Sequence, residues 1–309
     1  MSRRPSLASL IGALALGVML TGCVAPPGTP HYVPESGASE RRADDLTVLT
    51  YNIRFFETPG RAWEDWTARR DNIVDLIRRQ EADIVGLQEV YNRIAVDLIP
   101  SVQLTYLREK LPEYEVTAAE LIGHLSAQPI LFDPSQFRLI DSGFLSFTEP
   151  AGPDDRQRWR PEMPRFASWV LLGVMDASGR GGSGARLWVA NVHFDNLSGV
   201  SRRASARILA DFLVDALAPD DAALIMGDFN TFSRTAPMRT LIEAGFTHAL
   251  PRSRTGSYHA FSGITFWPRV DHILINRSLE SLGGGLIYDR YDEGYPSDHF
   301  PAVVYLRWR

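Results

Sequence analysis

The chain has 309 residues, 45% of them hydrophobic and 22% charged, and a formal net charge of −5. Such a length suits one large or two small globular domains, with enough apolar residues for a core that needs no covalent staple. A single cysteine, Cys23, excludes an intramolecular disulfide, and the acidic balance gives no reason to expect a broad basic face for nucleic acid. In chain order, Arg3 and Arg4 precede an apolar run from Leu7 to Leu20, too short to span a bilayer comfortably. Positive residues, an apolar stretch and then small residues read as a secretory signal over residues 1–22. Residues 23–46 are rich in Pro, Gly, Ser and charge, cannot bury enough apolar area to fold alone, and read as a disordered tether. Residues 47–309 read as one domain.

Within that domain, Leu46 to Ile53 is a β-rich apolar run. Trp66 to Gln80 carries Ile73, Leu76 and Ile77 at helical spacing. Strands are expected over Asp83–Leu87, Gly143–Phe147, Ala167–Met175 and Ala185–Val192. Val200 to Ala216 predicts an amphipathic helix with Ala204, Ile208, Phe212 and Ala216 on one face. Further strands are expected at Ala222–Met226, Val270–Ile275 and Ala302–Leu306. Gly152-Pro153-Asp154-Asp155 and Gly179 to Gly184 read as surface loops. Strands mixed with helices throughout indicate an α/β or α+β domain.

Five segments share one layout: an apolar run that ends in polar groups suited to metal or phosphate. They are Val48 to Asn52, Ile84 to Glu89, Val189 to Asn196, Leu224 to Asn230, and the pair Arg269-Val270-Asp271-His272 with Ser297-Asp298-His299. Polar groups at strand ends gather on one edge of a sheet, where α/β enzymes place their sites. Singly, each is weak: a carboxylate after a strand is often a cap or a turn residue. Their joint occurrence, each closing an apolar run, is what points to a site. His272, next to Asp271 on a strand, should face the other way. His31, His124, His248 and His259 read as solvated or structural.

This set of motifs resembles the endonuclease/exonuclease/phosphatase superfamily, also called the deoxyribonuclease-I-like fold. The matching pieces are Asn52, Gln88-Glu89, His193, Gly227-Asp228-Phe229-Asn230, Arg269-Val270-Asp271 and Ser297-Asp298-His299, spread over nearly the whole mature domain. The resemblance implies a four-layer α/β sandwich, two packed mixed β-sheets flanked by helices. It implies Glu89 as the principal ligand of Mg²⁺ or Mn²⁺, with Asn52 and Asp298 close by; oxygen donors without cysteine suit these hard cations. By the same resemblance, Asp228 orients or deprotonates the attacking water, Asn230 positions water and phosphate, and His299, held by Asp271, serves as donor or acid/base. His193 would contact the phosphate or assist the leaving group, and Asn196 matches a phosphate contact of some relatives. Arg202, at the start of the helix after His193, either reaches the substrate phosphate or caps the sandwich.

Leu20-Thr21-Gly22-Cys23 resembles the lipobox of bacterial lipoproteins, which implies acylation of Cys23, a membrane anchor and an exported location on the cell envelope. A monomer is expected. The leading functional expectation is a phosphodiesterase/nuclease acting outside the cytoplasm. A phosphomonoesterase or phospholipase-type enzyme on the same site comes second, and an inert surface-binding lipoprotein third. Substrates within reach of an exported enzyme are nucleic acid, nucleotides, sugar phosphates and lipid head groups. Two stretches bear on the choice. Arg156, Arg158, Trp159, Arg160 and Arg165 suit phosphates and stacked bases but read more readily as a solvated loop. Phe261, Phe266 and Trp267 either line a base or lipid pocket or pack in the core.

Overall fold

The computed structural model describes residues 23–24, 45–55, 64–91, 102–117, 126–147, 165–175, 184–250, 252 and 255–309. The signal segment, most of the tether, the Gly152–Asp155 loop, most of the Gly179–Gly184 loop, Arg156 to Arg160, His31 and His124 lie outside these residues. Cys23–Val24, at the head of the expected tether, pairs antiparallel with Ile264–Thr265.

Two six-stranded mixed sheets form the centre. The first runs, edge to edge, Leu279–Leu286, Ala302–Trp308, Leu46–Asn52, Ile84–Gln88, Ile130–Phe132 and Glu115–Thr117. The second runs Thr247–His248, Asp271–Ile275, Ala222–Asp228, Arg186–His193, Phe166–Val174 and Phe137–Ser146. The central strands Leu46–Asn52, Ile84–Gln88, Ala222–Asp228 and Asp271–Ile275 are buried at every residue. Both of their faces are covered, which is why their sequences are continuous apolar runs rather than alternating ones.

Apolar side chains of the two sheets meet in one core that includes Val48, Ile84, Val189, Leu224, Met226 and Ile273. The outer face of the first sheet packs on α1 (Trp66–Arg79) and α2 (Val102–Lys110) through Leu49, Val85, Ile73, Ile77 and Leu107. The outer face of the second packs on α3 (Gly199–Ala216) and α4 (Ala236–Glu243) through Ala190, Ile225, Leu209, Leu213 and Leu241. The order helix, sheet, sheet, helix is the four-layer sandwich that the resemblance implied. Asp65 starts α1 by accepting the Thr67 N–H at 2.9 Å, and Ser198 caps α3 through the Ser201 N–H at 3.1 Å.

Close approach of the sheets is set by glycine at one point. A Cβ on Gly86 would lie 2.5 Å from Cε of Met226, so the facing methionine fills the space that a side chain would take. A polar staple joins the sheets nearer the site: the Gln88 amide donates to Asn191 Oδ1 at 2.7 Å, and Asn191 Nδ2 donates to the carbonyls of Leu87 and Pro129.

The inner face of α3 is turned from the expected one. Ser201, Ser205, Ala206, Leu209, Ala210 and Leu213 are its buried residues, while Ala204, Ile208, Phe212 and Ala216 lie at the partly buried margin. Four of these six buried residues are Ser or Ala, which carry little apolar signal, so hydrophobicity alone misplaces the stripe.

Candidate active site

Strand register assembles the site. In the second sheet His193 stands opposite Asp228, and Asp228 opposite Asp271, so three central strands present one polar residue each in a row. In the first sheet Asn52 stands opposite Gln88, and Glu89 follows directly. The Ser297-Asp298-His299 segment enters just before the Ala302–Trp308 strand, and Ser297 Oγ donates to the Asn52 carbonyl at 2.6 Å. The two sheets therefore offer their polar ends to a common cleft.

Asn52 bridges the sheets: its Nδ2 lies 3.2 Å from both Glu89 Oε1 and Asp228 Oδ2. Glu89 and Asp298 are both buried, and Arg54 Nη1 lies 3.5 Å from a carboxylate oxygen of each. Glu89 is held above its ordinary pKa by burial and by the charge of Asp298, with Arg54 and His299 acting the other way. Glu89 and Asn230 have φ of 56° and 47°, and Arg54 has 62°; three residues of the site thus sit in the left-handed region, a departure that the surrounding packing must hold.

Asp228 accepts the Asn230 N–H on Oδ1 at 2.8 Å. Asp228 is buried among charges; burial and the neighbouring Asp271 raise its pKa to about 7, opposed by His299. His299 Nδ1 contacts Asp271 Oδ2 at 2.8 Å, and its Nε2 stands 3.8 Å from Asp228 Oδ2. Burial pulls the His299 pKa down, but the charge and hydrogen bond of Asp271, with Asp228 and Asp298, outweigh it and raise the value to about 10. His299 is an imidazolium held by Asp271, with Nε2 turned to the cleft. His193 is the opposite case. Burial, then the positive charges of Arg165, His299 and Arg54, hold it well below its ordinary pKa, so it is neutral; its Nε2 lies 3.6 Å from Asp228 Oδ2.

A cavity of about 420 Å³ opens over these groups, lined by Glu89, Asp298, Asp228, His299, His193 and Asn230 together with Arg54, Arg165 and Asn196. Its mouth is aromatic: Phe232, Tyr258 and Trp267 line it, and Trp267 is 65% exposed. Asn52 and Asp271 support the wall from behind. Arg202 is not brought to the wall; its Nη1 donates to the Asp195 carbonyl at 2.6 Å and fixes the turn that carries Asn196. His272 points away, with its Nε2 on the Thr231 carbonyl at 2.9 Å.

Arg165 departs from the sequence expectation. It is 5% exposed rather than part of a solvated loop, and it holds Asn196 Oδ1 through Nη2 at 3.1 Å. Its Nε is buried with no acceptor among the described residues. A buried guanidinium aimed at a cavity with donors to spare is a ready anion contact. The aromatic trio also divides: Phe261 is buried, Trp267 lines the mouth, and Phe266 is exposed.

Asp228, Asp271 and His299 each bring a ligand atom within 4.8 Å of the others, which makes them a possible metal-binding triad. The donor chemistry fits a hard cation better a few residues away. Within the triad, His299 Nδ1 and Asp271 Oδ2 are already engaged with each other at 2.8 Å. Glu89, whose ionisation burial and the neighbouring Asp298 make costlier, shares with buried Asp298 one half-buried guanidinium, that of Arg54, and these two carboxylates are the ones that would hold a cation.

Residues 49–299 match the Endonuclease/Exonuclease/phosphatase family. An uncharacterised protein, L388 of Acanthamoeba polyphaga mimivirus, is 26% identical over 189 residues, 60% of this chain and 67% of that protein. An endonuclease/exonuclease/phosphatase family protein from Bacteroides thetaiotaomicron superposes with a TM-score of 0.73 at 23% identity, over 86% of this chain and 98% of that one. The mannosyl-6-phosphatase Bt3783 of Bacteroides thetaiotaomicron VPI-5482 superposes with a TM-score of 0.72 at 22% identity, over 85% of this chain and all of the other. Two sheets in the same sandwich, polar strand ends on one cleft and a match over 251 residues (49 to 299) make this chain a member of the endonuclease/exonuclease/phosphatase family, whose enzymes are phosphoesterase hydrolases.

Proposed function

We propose that the protein is a divalent-metal-dependent hydrolase of small phosphate esters, with Mg²⁺ or Mn²⁺ held by Glu89, Asp298 and Asn52. One observation carries this reading: a single cavity of about 420 Å³ unites two buried carboxylates, a buried aspartate whose pKa is raised to about 7, an imidazolium and a buried arginine. That size falls within the range of pockets that enclose one small ligand. It ranks a small monoester above the phosphodiester or nucleic acid of the leading sequence expectation. The acidic net charge supports the same order, because polyanion affinity grows with cationic contacts. The similarity to a mannosyl-6-phosphatase is in keeping with it.

When bound, the cation supplies charge neutralisation at the phosphoryl oxygens. Every other part belongs to the chain. Arg165 and Asn196 receive non-bridging oxygens, and Asn196 is pre-set by its bond to Arg165. Asp228, fixed by Asn52 and the Asn230 amide, takes a proton from the attacking water; a base with a pKa near 7 is matched to neutral pH. His299 presents its Nε2 proton to the phosphoryl oxygen or leaving group, and Asp271 keeps it oriented and charged. Neutral His193 supplies a further polar edge to the phosphate.

A phosphodiesterase acting on nucleotides or nucleic acid is the second reading. Tyr258 and Trp267 at the mouth favour it, since exposed rings at a phosphate site offer stacking surfaces to bases. The location is proposed from the sequence: residues 1–22 direct export, and acyl chains on Cys23 anchor the protein to the envelope. No helix among the described residues is long and apolar enough to cross a membrane.

The test is hydrolysis by the domain from Leu46 with Mg²⁺, with Mn²⁺ and with chelator. Its panel holds a hexose 6-phosphate, an aryl phosphomonoester, a bis-aryl phosphodiester, plasmid DNA, RNA and a choline phospholipid. Turnover that needs metal and falls at least about a hundredfold in Asp228→Asn supports the mechanism. Preference for the monoesters supports the small-ester reading, preference for diesters or DNA the second, and chelator-resistant turnover removes the metal from the account. Mass spectrometry of the mature N-terminus from the native host tests acylation: an unmodified Cys23 removes the anchor.

A further inference from the structure

Arg69 lies on α1, one layer behind the cleft, and is 1% exposed. No carboxylate pairs with it among the described ion pairs. Five backbone carbonyls receive its guanidinium instead. Its Nε donates to Glu64 at 2.6 Å, Nη1 to Ile53 and Pro296 at 2.8 Å each, and Nη2 to Phe55 at 3.0 Å and, more weakly, Arg54 at 3.5 Å. That uses the full set of donors of a planar fork. The ring of Phe261 closes over it, with 5.6 Å from the guanidinium carbon to the ring centroid, and Trp66 lies 6.0 Å away.

A buried charge with no counter-charge in contact is costly, and burial lowers the Arg69 pKa. Helix packing alone does not call for it; a leucine would fill such a position at less expense. What the arginine reaches supplies the reason. Ile53 follows Asn52, and Arg54, the weakest acceptor, is the residue that contacts Glu89 and Asp298. Pro296 lies two residues before Asp298. Segments 243 residues apart, at Ile53 and Pro296, meet on one nitrogen. Among the described residues, the Ser297 Oγ bond to the Asn52 carbonyl and the looser Arg54–Asp298 ion pair at 3.5 Å join the same two segments directly.

We infer that Arg69 is a positioning residue for the cation site: its guanidinium clamps the Asn52–Phe55 and Pro296–Asp298 segments in register, so that Asn52 and Asp298 stand at ligand spacing. This rests on the placement of the metal at Glu89, Asp298 and Asn52 proposed above. It adds a cause for that geometry in a helix that touches no substrate. Lysine carries the charge but presents three donors from one point, so it cannot span carbonyls spread over residues 53, 55, 64 and 296.

The experiment is a calorimetric Mn²⁺ titration of the full chain, as wild type and as Arg69→Lys and Arg69→Met, with melting temperatures taken alongside. Supporting residues behind a metal site typically change affinity by about 10- to 100-fold, and a weakening of at least about tenfold is expected in Arg69→Lys. Its kcat should recover toward the wild-type value as Mn²⁺ is raised, because the groups that touch substrate are intact. A purely structural role would lower the melting temperature and leave the Mn²⁺ affinity of the folded protein unchanged; that outcome overturns the inference. If the wild type itself binds no Mn²⁺, the metal placement fails first, and a wild type and variant that bind equally defeat only the role of Arg69. Should both variants fail to fold, the wild type decides. Its slowly exchanging Arg69 side-chain protons, followed by NMR, must shift on addition of Mg²⁺, and a spectrum that does not move refutes the clamp.

Discussion

The Asp271–His299 pair is the smallest unit on which the chemistry depends. Asp271 is buried, and its Oδ2 accepts from His299 Nδ1 at 2.8 Å while Ser257 Oγ receives the Asp271 N–H at 3.1 Å. Replacing the carboxylate with an amide keeps the volume but removes the charge and permits the wrong tautomer. Asp271→Asn should therefore lower kcat by about 10²- to 10⁴-fold with little change in KM, read by steady-state kinetics. A fall in kcat/KM carried by KM alone would contradict an acid/base or electrostatic role. Arg165 belongs to the other term. A charge-assisted contact is worth roughly 1.5–3 kcal/mol, so Arg165→Ala should raise KM by about 10- to 100-fold. Asp228, Asn230, His193, Asp298 and His299 were legible because each directly closes or flanks an apolar run. Arg165 was not: it ends a stretch of arginines whose local composition favours solvent, and its burial is decided by the strand that begins at Phe166 and by Asn196 across the sheet.

At the scale of elements, Gly227 shows how a strand delivers its catalytic residue. Its φ is +138°, and a Cβ there would stand 2.0 Å from the Val192 carbonyl oxygen, on the neighbouring strand that carries His193. Backbone cannot yield as a flexible side chain can, so Gly227→Ala should cost at least about 3 kcal/mol or abolish folding. Urea denaturation reads this directly. A variant with unchanged stability would mean that the strand pair tolerates a shift, and that the spacing of His193 and Asp228 is not fixed by this contact. The same pair explains which elements could be read in advance. Buried central strands announce themselves as unbroken apolar runs, and α1 by its spacing. Ile130–Phe132 is three residues long, and Leu279–Leu286 contains Gly283-Gly284-Gly285 in place of β-branched residues. Phe137–Ser146 lies at an edge with exposed polar residues on much of its length, so only its last part had a strand pattern. α4 has eight residues and a proline near its start, too short for a periodic signal.

The whole molecule holds its sandwich together partly by keeping histidines neutral in the interior, and acid should expose this. His272 lies beneath the second sheet's site edge, its Nε2 donating to the Thr231 carbonyl, with Phe229 and His248 each 5.6 Å away between ring centroids. Burial, then the positive charges of Arg269 and His248, depress its pKa to about 3, against 6.5 for an exposed histidine; the hydrogen bonds to Thr231 and Arg269 act in the opposite sense. Between those values the unfolded chain binds a proton there and the native chain does not. Its contribution to stability is therefore complete above about pH 6.5 and is lost as pH falls toward 3, at up to about 1.4 kcal/mol per pH unit. Buried His259, stacked 3.9 Å from Phe300 and also depressed to about 3, adds a term of the same sign. Carboxylates titrate over part of the same window, so wild type alone cannot separate the contributions, but a difference between two proteins can. His272→Gln keeps a donor near Thr231 and removes the titration. It should be less stable than wild type at pH 7.5, and the gap should close steadily toward pH 5 in urea denaturation curves. Two stability curves that stay parallel over that range would show that His272 takes up its proton without opening the fold.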